Sequence, residues 1–196
     1  MAGVLSLVRQ KLRPDARTLV LLGLSQPEPM PLPPSGEPIE YRLSTRDEIA
    51  RLPNGIRLTD SLDRFDRGDR CLLQMVDRRL AGVVWLSTAP VVELYRGVSL
   101  SLPADAVYTY RTWTDPACRG RGLQGRRHLA VLAAVRGEGR SRLLCFAEDT
   151  NFASLRGARK SGCRPIGTVR MSRSHEFRPK VSIQVPAWSD VTSVDR

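Results

Sequence analysis

The chain has 196 residues, 41 % of them hydrophobic and 26 % charged, which suits one packed domain plus an N-terminal segment and excludes wholesale disorder. Its formal net charge of +11, carried almost entirely by arginine, favours polyanionic or phosphorylated ligands. No stretch is long and apolar enough to span a bilayer as a helix. The four dispersed cysteines form no Cys-x-x-Cys pair and only two histidines occur, so no metal site is expected.

In chain order, residues 1–13 place Val4, Leu5, Val8 and Leu12 on one helical face, as in a short docking helix, and lack the apolar centre of a secretion signal. Residues 18–24 (TLVLLGL) read as a strand. Six prolines between 26 and 38 mark an extended linker. Residues 39–43 read as a second strand. Ser44 or Thr45 then caps a helix through Leu52, with Asp47 and Glu48 in its first turn. Residues 61–68 form a second short helix that ends at Gly68.

Residues 71–76 and 80–88 are β-rich and joined by Asp77-Arg78-Arg79, the mark of a hairpin. Residues 89–105 are ambiguous, with part of a strand among them. The run 107–114 (VYTYRTWT) is strongly β. Regular alternation would place Tyr108, Tyr110, Thr112 and Thr114 on one face and Val107, Thr109, Arg111 and Trp113 on the other. Pro116 stops that strand. A helix follows over 122–135, then a strand over 143–147. A helix capped by Thr150 or Asn151 reaches Ser161 and ends at Gly162, before Pro165. Residues 166–171 and 181–185 read as closing strands. The order predicts an α/β (α+β) fold with mixed strand directions. The expected organisation is an N-terminal extension over 1–38, one domain over 39–186 and a loose tail over 187–196.

The segment Arg119-Gly120-Arg121-Gly122-Leu123-Gln124-Gly125 lies between a strand and a helix. A helix N-terminus offers unpaired N–H groups and partial positive charge. Gly120 and Gly122 permit close backbone approach, and Arg119 and Arg121 add guanidinium donors, so the segment suits a phosphate or pyrophosphate. It lacks the Gly-Lys-Ser/Thr ending of a P-loop. It matches G-x-G-x-x-G on paper, yet the acidic residue near the expected spacing, Glu138, falls in a Gly-rich turn rather than at a strand end.

Residues 107–169 resemble the GNAT acyltransferase family. Arg119 and Gly122 fall in register with that family's Arg/Gln-x-x-Gly-x-Gly/Ala loop, although Gln124 stands at the final small position. Asn151, Ser154 and the Gly162-Cys163 ending before a strand resemble its second motif, with Cys163 where an aromatic is usual. The resemblance implies a central mixed, mostly antiparallel sheet flanked by helices, and acetyl-CoA or another acyl-CoA as co-substrate. It also implies a small-molecule amine as acceptor, attacking the thioester directly.

By the same resemblance the backbone of Thr112, Trp113 and Thr114 would pair with pantetheine. Residues Arg119, Gly120, Arg121, Gly122, Leu123, Gln124 and Gly125 would hold the pyrophosphate. Asn151 would meet the pantetheine arm, with Ser154 nearby. The family's tyrosine acid, seven residues after the asparagine, is Ala158 here, so Glu148 and Tyr108 stand as the catalytic candidates, with Tyr110 a neighbour. His128, on the following helix, reads as structural or phosphate-facing. Expected partners are the amine and, as an option, a second copy of the chain. No specific nucleic acid is expected, since no recognition motif accompanies the charge. The widely spaced cysteines fit a reducing cytoplasm. A non-catalytic acyl-CoA-binding module on the same fold is the alternative, suggested by the missing tyrosine.

Overall fold

The computed structural model describes residues 17–26, 38–52, 61–95, 98–171 and 180–194. The expected N-terminal helix and most of the proline-rich linker lie outside the described residues. The strands are β1 (Arg17–Ser25), β2 (Ile39–Leu43), β3 (Arg70–Val76), β4 (Arg79–Ser87), β5 (Val91–Tyr95), β6 (Val98–Ser101), β7 (Ala106–Thr114), β8 (Arg142–Glu148), β9 (Arg164–Met171), β10 (Lys180–Ile183) and β11 (Ser193–Val194). The helices are α1 (Arg46–Arg51), α2 (Ser61–Asp66), α3 (Leu123–Val135) and α4 (Phe152–Arg159).

Local chemistry explains the short elements. Thr45 accepts from the Glu48 backbone N–H while the Glu48 side chain accepts from the Thr45 backbone N–H, a closed capping box at the start of α1. The β3–β4 hairpin turns on two residues, Asp77 and Arg78, with φ of 49° and 63°. Positive φ at both centres gives the turn whose twist matches the flanking strands.

One sheet of eight strands runs β10-β9-β1-β8-β7-β4-β3-β2, and a second of three runs β11-β6-β5. Neighbours pair antiparallel except β7 with β8, which run parallel. Helices α3 and α4 cover one face of the large sheet. There Leu129, Leu132, Val135 and Ala158 pack with Leu22, Val84, Val107, Leu143 and Cys145. Each fully buried aliphatic side chain of this kind contributes about 1.5–3 kcal/mol relative to exposure. On a second cluster, Val92, Leu94 and Leu100 of the small sheet, with Trp188 and Val191, pack against Leu19, Tyr108, Leu144, Ile166 and Val169. Ile49 and Phe65 cover Cys71, Leu73, Val83 and Trp85.

Three expectations change. Within the expected N-terminal extension over 1–38, residues 17–25 belong to the domain itself, because β1 hydrogen-bonds between β8 and β9 inside the large sheet. The described part of the expected loose tail over 187–196, residues 187–194, is packed against the domain. Trp188 and Val191 are buried, β11 pairs with β6, and Arg142 binds both Asp105 and Asp190 while lying over the Trp188 ring. The ambiguous stretch 89–105 contains the β5–β6 pair. No helix among the described residues is long and apolar enough to cross a membrane.

Candidate functional site

The parallel pair β7–β8 is short. Only Ala106, Val107 and Tyr108 oppose Arg142, Leu143 and Leu144. Beyond them β7 continues with β4 and β8 with β1, so the two strands part. A bulge marks the divergence. Tyr110 lies opposite Trp85 and Trp113 opposite Val83, so Arg111 and Thr112 together oppose Val84. Arg111 has φ of 48°. A bulge adds bend and twist, which carries β7 away from β8. It also overturns the regular alternation expected for 107–114. Trp113 shares a face with Tyr110, and both pack on the cluster around Trp85.

The gap is a cleft of about 120 Å³. Strand β7 supplies Thr109, Tyr110, Arg111 and Thr112, and β8 supplies Cys145, Phe146 and Ala147. Leu22 of β1 also lines it, as do Gln124 and His128 of α3 and Ser154 and Ala158 of α4. Of the residues singled out in the sequence, Thr112, Gln124 and Ser154 line this cleft together. Trp113 and Thr114 are absent from the lining.

The basic glycine loop adjoins this cleft through Gln124. Asp115 caps a short 3-10 turn over Pro116–Cys118 by accepting from the Ala117 N–H at 2.8 Å. Gly120 and Gly122 then adopt φ of 80° and 74°, and a Cβ on either would meet no heavy atom within 4 Å. Gly122 is the N-cap of α3 and no side chain caps that end. Space beside Gly120 and Gly122, at the start of α3, is therefore open and would admit a phosphate oxygen. Arg119 and Arg121 are exposed; Arg119 Nε donates to the Thr114 carbonyl at 3.3 Å. Leu123 and Gly125 act differently from their neighbours. The Leu123 side chain packs in a core with Val76 and Ala81, leaving only its backbone for a ligand. Gly125 lets α3 approach the end of α4, since a Cβ there would lie 3.1 Å from Ser161 N and 3.3 Å from Gly157 O.

Beneath the loop lies Arg127, which is fully buried. Its guanidinium donates to the Trp113 carbonyl and to Thr114 Oγ1, each at 2.7 Å. Burial pulls its pKa down to about 10. Gly82 makes the room, because a Cβ there would stand 1.6 Å from Arg127 Nη1. Arg127 thereby fixes the end of β7 to α3, the two elements that flank the loop. Neither Arg127 nor Gly82 carries a sequence signal for this role; the arginine reads as one more member of a basic run.

The two catalytic candidates are not brought to the cleft. Glu148 ends β8 in an ion pair with Arg17 at 2.8 Å and does not line the cavity. Tyr108 is 2 % exposed and stacks between Tyr110 and Phe146, and burial pushes its hydroxyl pKa well up. Tyr110 does line the cleft. Its hydroxyl donates to Asp69 Oδ2 at 2.5 Å, and the Arg64 guanidinium lies over its ring. Desolvation, followed by this hydrogen bond to Asp69, raises the Tyr110 pKa, so the phenol stays protonated. Asn151 serves locally as the N-cap of α4, accepting from the Ser154 N–H at 3.1 Å. Ala158 lines the cleft from α4.

The floor also holds a grouping that sequence reasoning missed. His128, Cys145 and Cys163 are all buried, and a ring nitrogen of His128 and the two sulfurs lie within 4.8 Å of one another. His128 Nδ1 is 3.7 Å from Cys163 Sγ and 3.2 Å from Ser161 Oγ. The hydrogen bond between the two thiols lowers the Cys163 pKa and raises that of Cys145. The donors come from α3, β8 and the turn after α4, so no local spacing announces them. His128 accordingly faces the floor rather than a phosphate.

A large, mostly antiparallel sheet with one splayed parallel pair, flanked by helices, is the fold of the GCN5-related N-acetyltransferases (GNAT). Solved structures agree on this fold. A GCN5-related N-acetyltransferase from Sphaerobacter thermophilus matches with TM-score 0.54 and 16 % identity, over 88 % of this chain and 56 % of that one. An acetyltransferase of the GNAT family from Colwellia psychrerythraea matches with TM-score 0.53 and 10 % identity, over 84 % and 59 %. A Drosophila protein matches with TM-score 0.54 and 15 % identity, over 86 % and 56 %. The chain thus spans between half and two thirds of the length of these proteins. No protein-family model matches the sequence, and no curated protein does.

Proposed function

We propose that the protein is an acyl-CoA-dependent N-acyltransferase, with acetyl-CoA as donor and a primary amine of a small molecule as acceptor. The observation that carries this reading is the continuity of two features. The splayed β7–β8 cleft and the open, positively charged start of α3 meet at Gln124. A pyrophosphate on the Gly120–Gly122 backbone, flanked by Arg119 and Arg121, would lead a pantetheine arm along Thr112 toward the floor at Ala158. The GNAT folds named above support the same assignment.

In this reading the amine nitrogen attacks the thioester carbonyl. The C–N bond forms and the C–S bond breaks. The amine loses its proton and the departing thiolate takes one up. Catalysis rests chiefly on holding the two reactants in line. Of Glu148, Tyr108 and Tyr110 only Tyr110 lines the cleft; its hydroxyl proton is given to Asp69, so its oxygen would accept a hydrogen bond from the amine.

The alternative is an acyl-CoA-binding module without turnover. It is favoured by Ala158 on the floor and by the Glu148–Arg17 pair outside the cleft. A thiol-release assay with acetyl-CoA over a panel of primary amines separates the two. Amine-dependent release of CoA, with the acetylated amine seen by mass spectrometry, is the expected result. Binding of acetyl-CoA without release for any amine class would replace the enzyme reading with the module.

A further inference from the structure

We infer that His128, Cys145 and Cys163 form a three-ligand binding site for zinc at the floor of the cleft, with the fourth coordination position toward the cavity. Such a site would bind zinc whether or not the cleft supports acyl transfer. Two thiols and an imidazole are the soft N/S donor set that selects a d¹⁰ cation of this kind.

Geometry agrees. A tetrahedral zinc with usual Zn–S and Zn–N bonds holds its donors about 3.5–3.8 Å apart. His128 Nδ1 and Cys163 Sγ are 3.7 Å apart, and all three donor atoms lie within 4.8 Å. Sub-ångström side-chain adjustment would close the remaining distances. All three side chains are at most 7 % exposed, so their rotamers are held by packing. His128 and Cys145 line the cleft while Cys163 lies behind them, which leaves the cavity side of the cluster open. Three protein ligands plus an open position is the arrangement in which zinc retains a water or takes an exogenous ligand. Ser161 Oγ, 3.3 Å from Cys163 Sγ, donates to the Ala158 carbonyl at 2.6 Å and so helps hold the turn that presents Cys163.

A disulfide is a poorer use of the same sulfurs. Cys145 lies opposite Leu22, and Arg164, next to Cys163, lies opposite Gly23 on the other edge of β1. One strand therefore separates the two backbones by roughly 9–10 Å, beyond the usual Cα–Cα reach of a disulfide.

The test uses the full reduced chain under anaerobic conditions. Zinc is titrated against a chromophoric chelator, and cobalt(II) is added as a spectroscopic substitute. The expected result is one equivalent of tightly held zinc. Cobalt should give tetrahedral d–d bands and a sulfur-to-metal charge-transfer band with the intensity of two thiolates. Cys145→Ser and Cys163→Ser should each remove about half of that band and weaken zinc binding at least about tenfold. Cys118→Ser should change neither. Failure of the wild-type chain to hold stoichiometric zinc, or a cobalt spectrum with fewer than two thiolates, overturns the site. So does a charge-transfer band that survives in both serine variants. The wild-type spectrum decides the matter even if a serine variant does not fold.

Discussion

Replacing Gly82 by alanine should destabilise the protein through an arginine, not through its own backbone. The new Cβ would stand 1.6 Å from Arg127 Nη1 and 2.9 Å from the Trp113 carbonyl oxygen. The guanidinium must leave both acceptors. Each charge-assisted hydrogen bond is worth about 1.5–3 kcal/mol, so about 3–6 kcal/mol of interaction is lost. Against this stands the chain-entropy gain of Gly→Ala, about 0.4–1 kcal/mol. The net expectation is a loss of about 2–5 kcal/mol.

Arg127→Met behaves differently. Burial holds the guanidinium pKa near 10 instead of 12.5, a desolvation penalty of about 3 kcal/mol at 1.36 kcal/mol per unit. Methionine removes that penalty together with the bonds, so its net effect should be about 2 kcal/mol or less in either direction. In the Gly82→Ala/Arg127→Met double variant the clash is gone except for the approach to Trp113 O. A double-mutant cycle read by urea unfolding should therefore give a coupling energy of about 2 kcal/mol or more. Additive effects, with Gly82→Ala equally harmful in both backgrounds, would refute the idea that this glycine exists to admit the arginine.

Three further outcomes are expected. Gly122→Ala meets no steric obstacle but forces a left-handed alanine, so it should cost about 1–2 kcal/mol in unfolding experiments and weaken CoA binding by moving the start of α3; an unchanged stability would contradict the described backbone. Trp188→Ala should cost about 3–5 kcal/mol, because the indole is buried against Gly23 and Ile166; a near-neutral effect would return the C-terminal stretch to the status of a loose tail. The Arg42 side chain, followed by the Thr45 N–H, holds the Glu48 carboxyl at about 2. A depressed folded pKa contributes stability above the unfolded value of 4.5, lost as pH falls toward 2. Glu48→Gln should thus be destabilising at pH 6 and neutral near pH 2 in thermal melts.

Local signals carried much of the fold to the reader of the sequence. The aromatic β run at 107–114, the glycine–arginine loop, the Asn151 cap and the Gly162 stop each depend on neighbours in the chain. All appear where those neighbours put them. What stayed hidden depends on partners far along the chain. The bulge at Arg111 places a non-glycine residue at positive φ with no turn residue to mark it. The central place of β1 follows from pairing with strands more than a hundred residues away. Gly82 and Arg127, or His128, Cys145 and Cys163, meet only once sheet and helices pack. Glu148 and Tyr108 were reasonable as strand-end and strand residues. Their positions relative to the cleft are set by Arg17 and by aromatic stacking, neither of which has a sequence pattern.

The proposed binding of the CoA pyrophosphate rests on the loop before α3. Calorimetric titration of the wild-type chain and of the Arg119→Ala/Arg121→Ala double variant with CoA and acetyl-CoA tests it. The wild type should bind both with one site per chain. The double variant, lacking two charge-assisted phosphate contacts, should bind at least about tenfold more weakly while unfolding at the same urea concentration. No binding by the wild type at millimolar CoA, or equal affinities for the two proteins, would contradict the placement of the pyrophosphate on this loop.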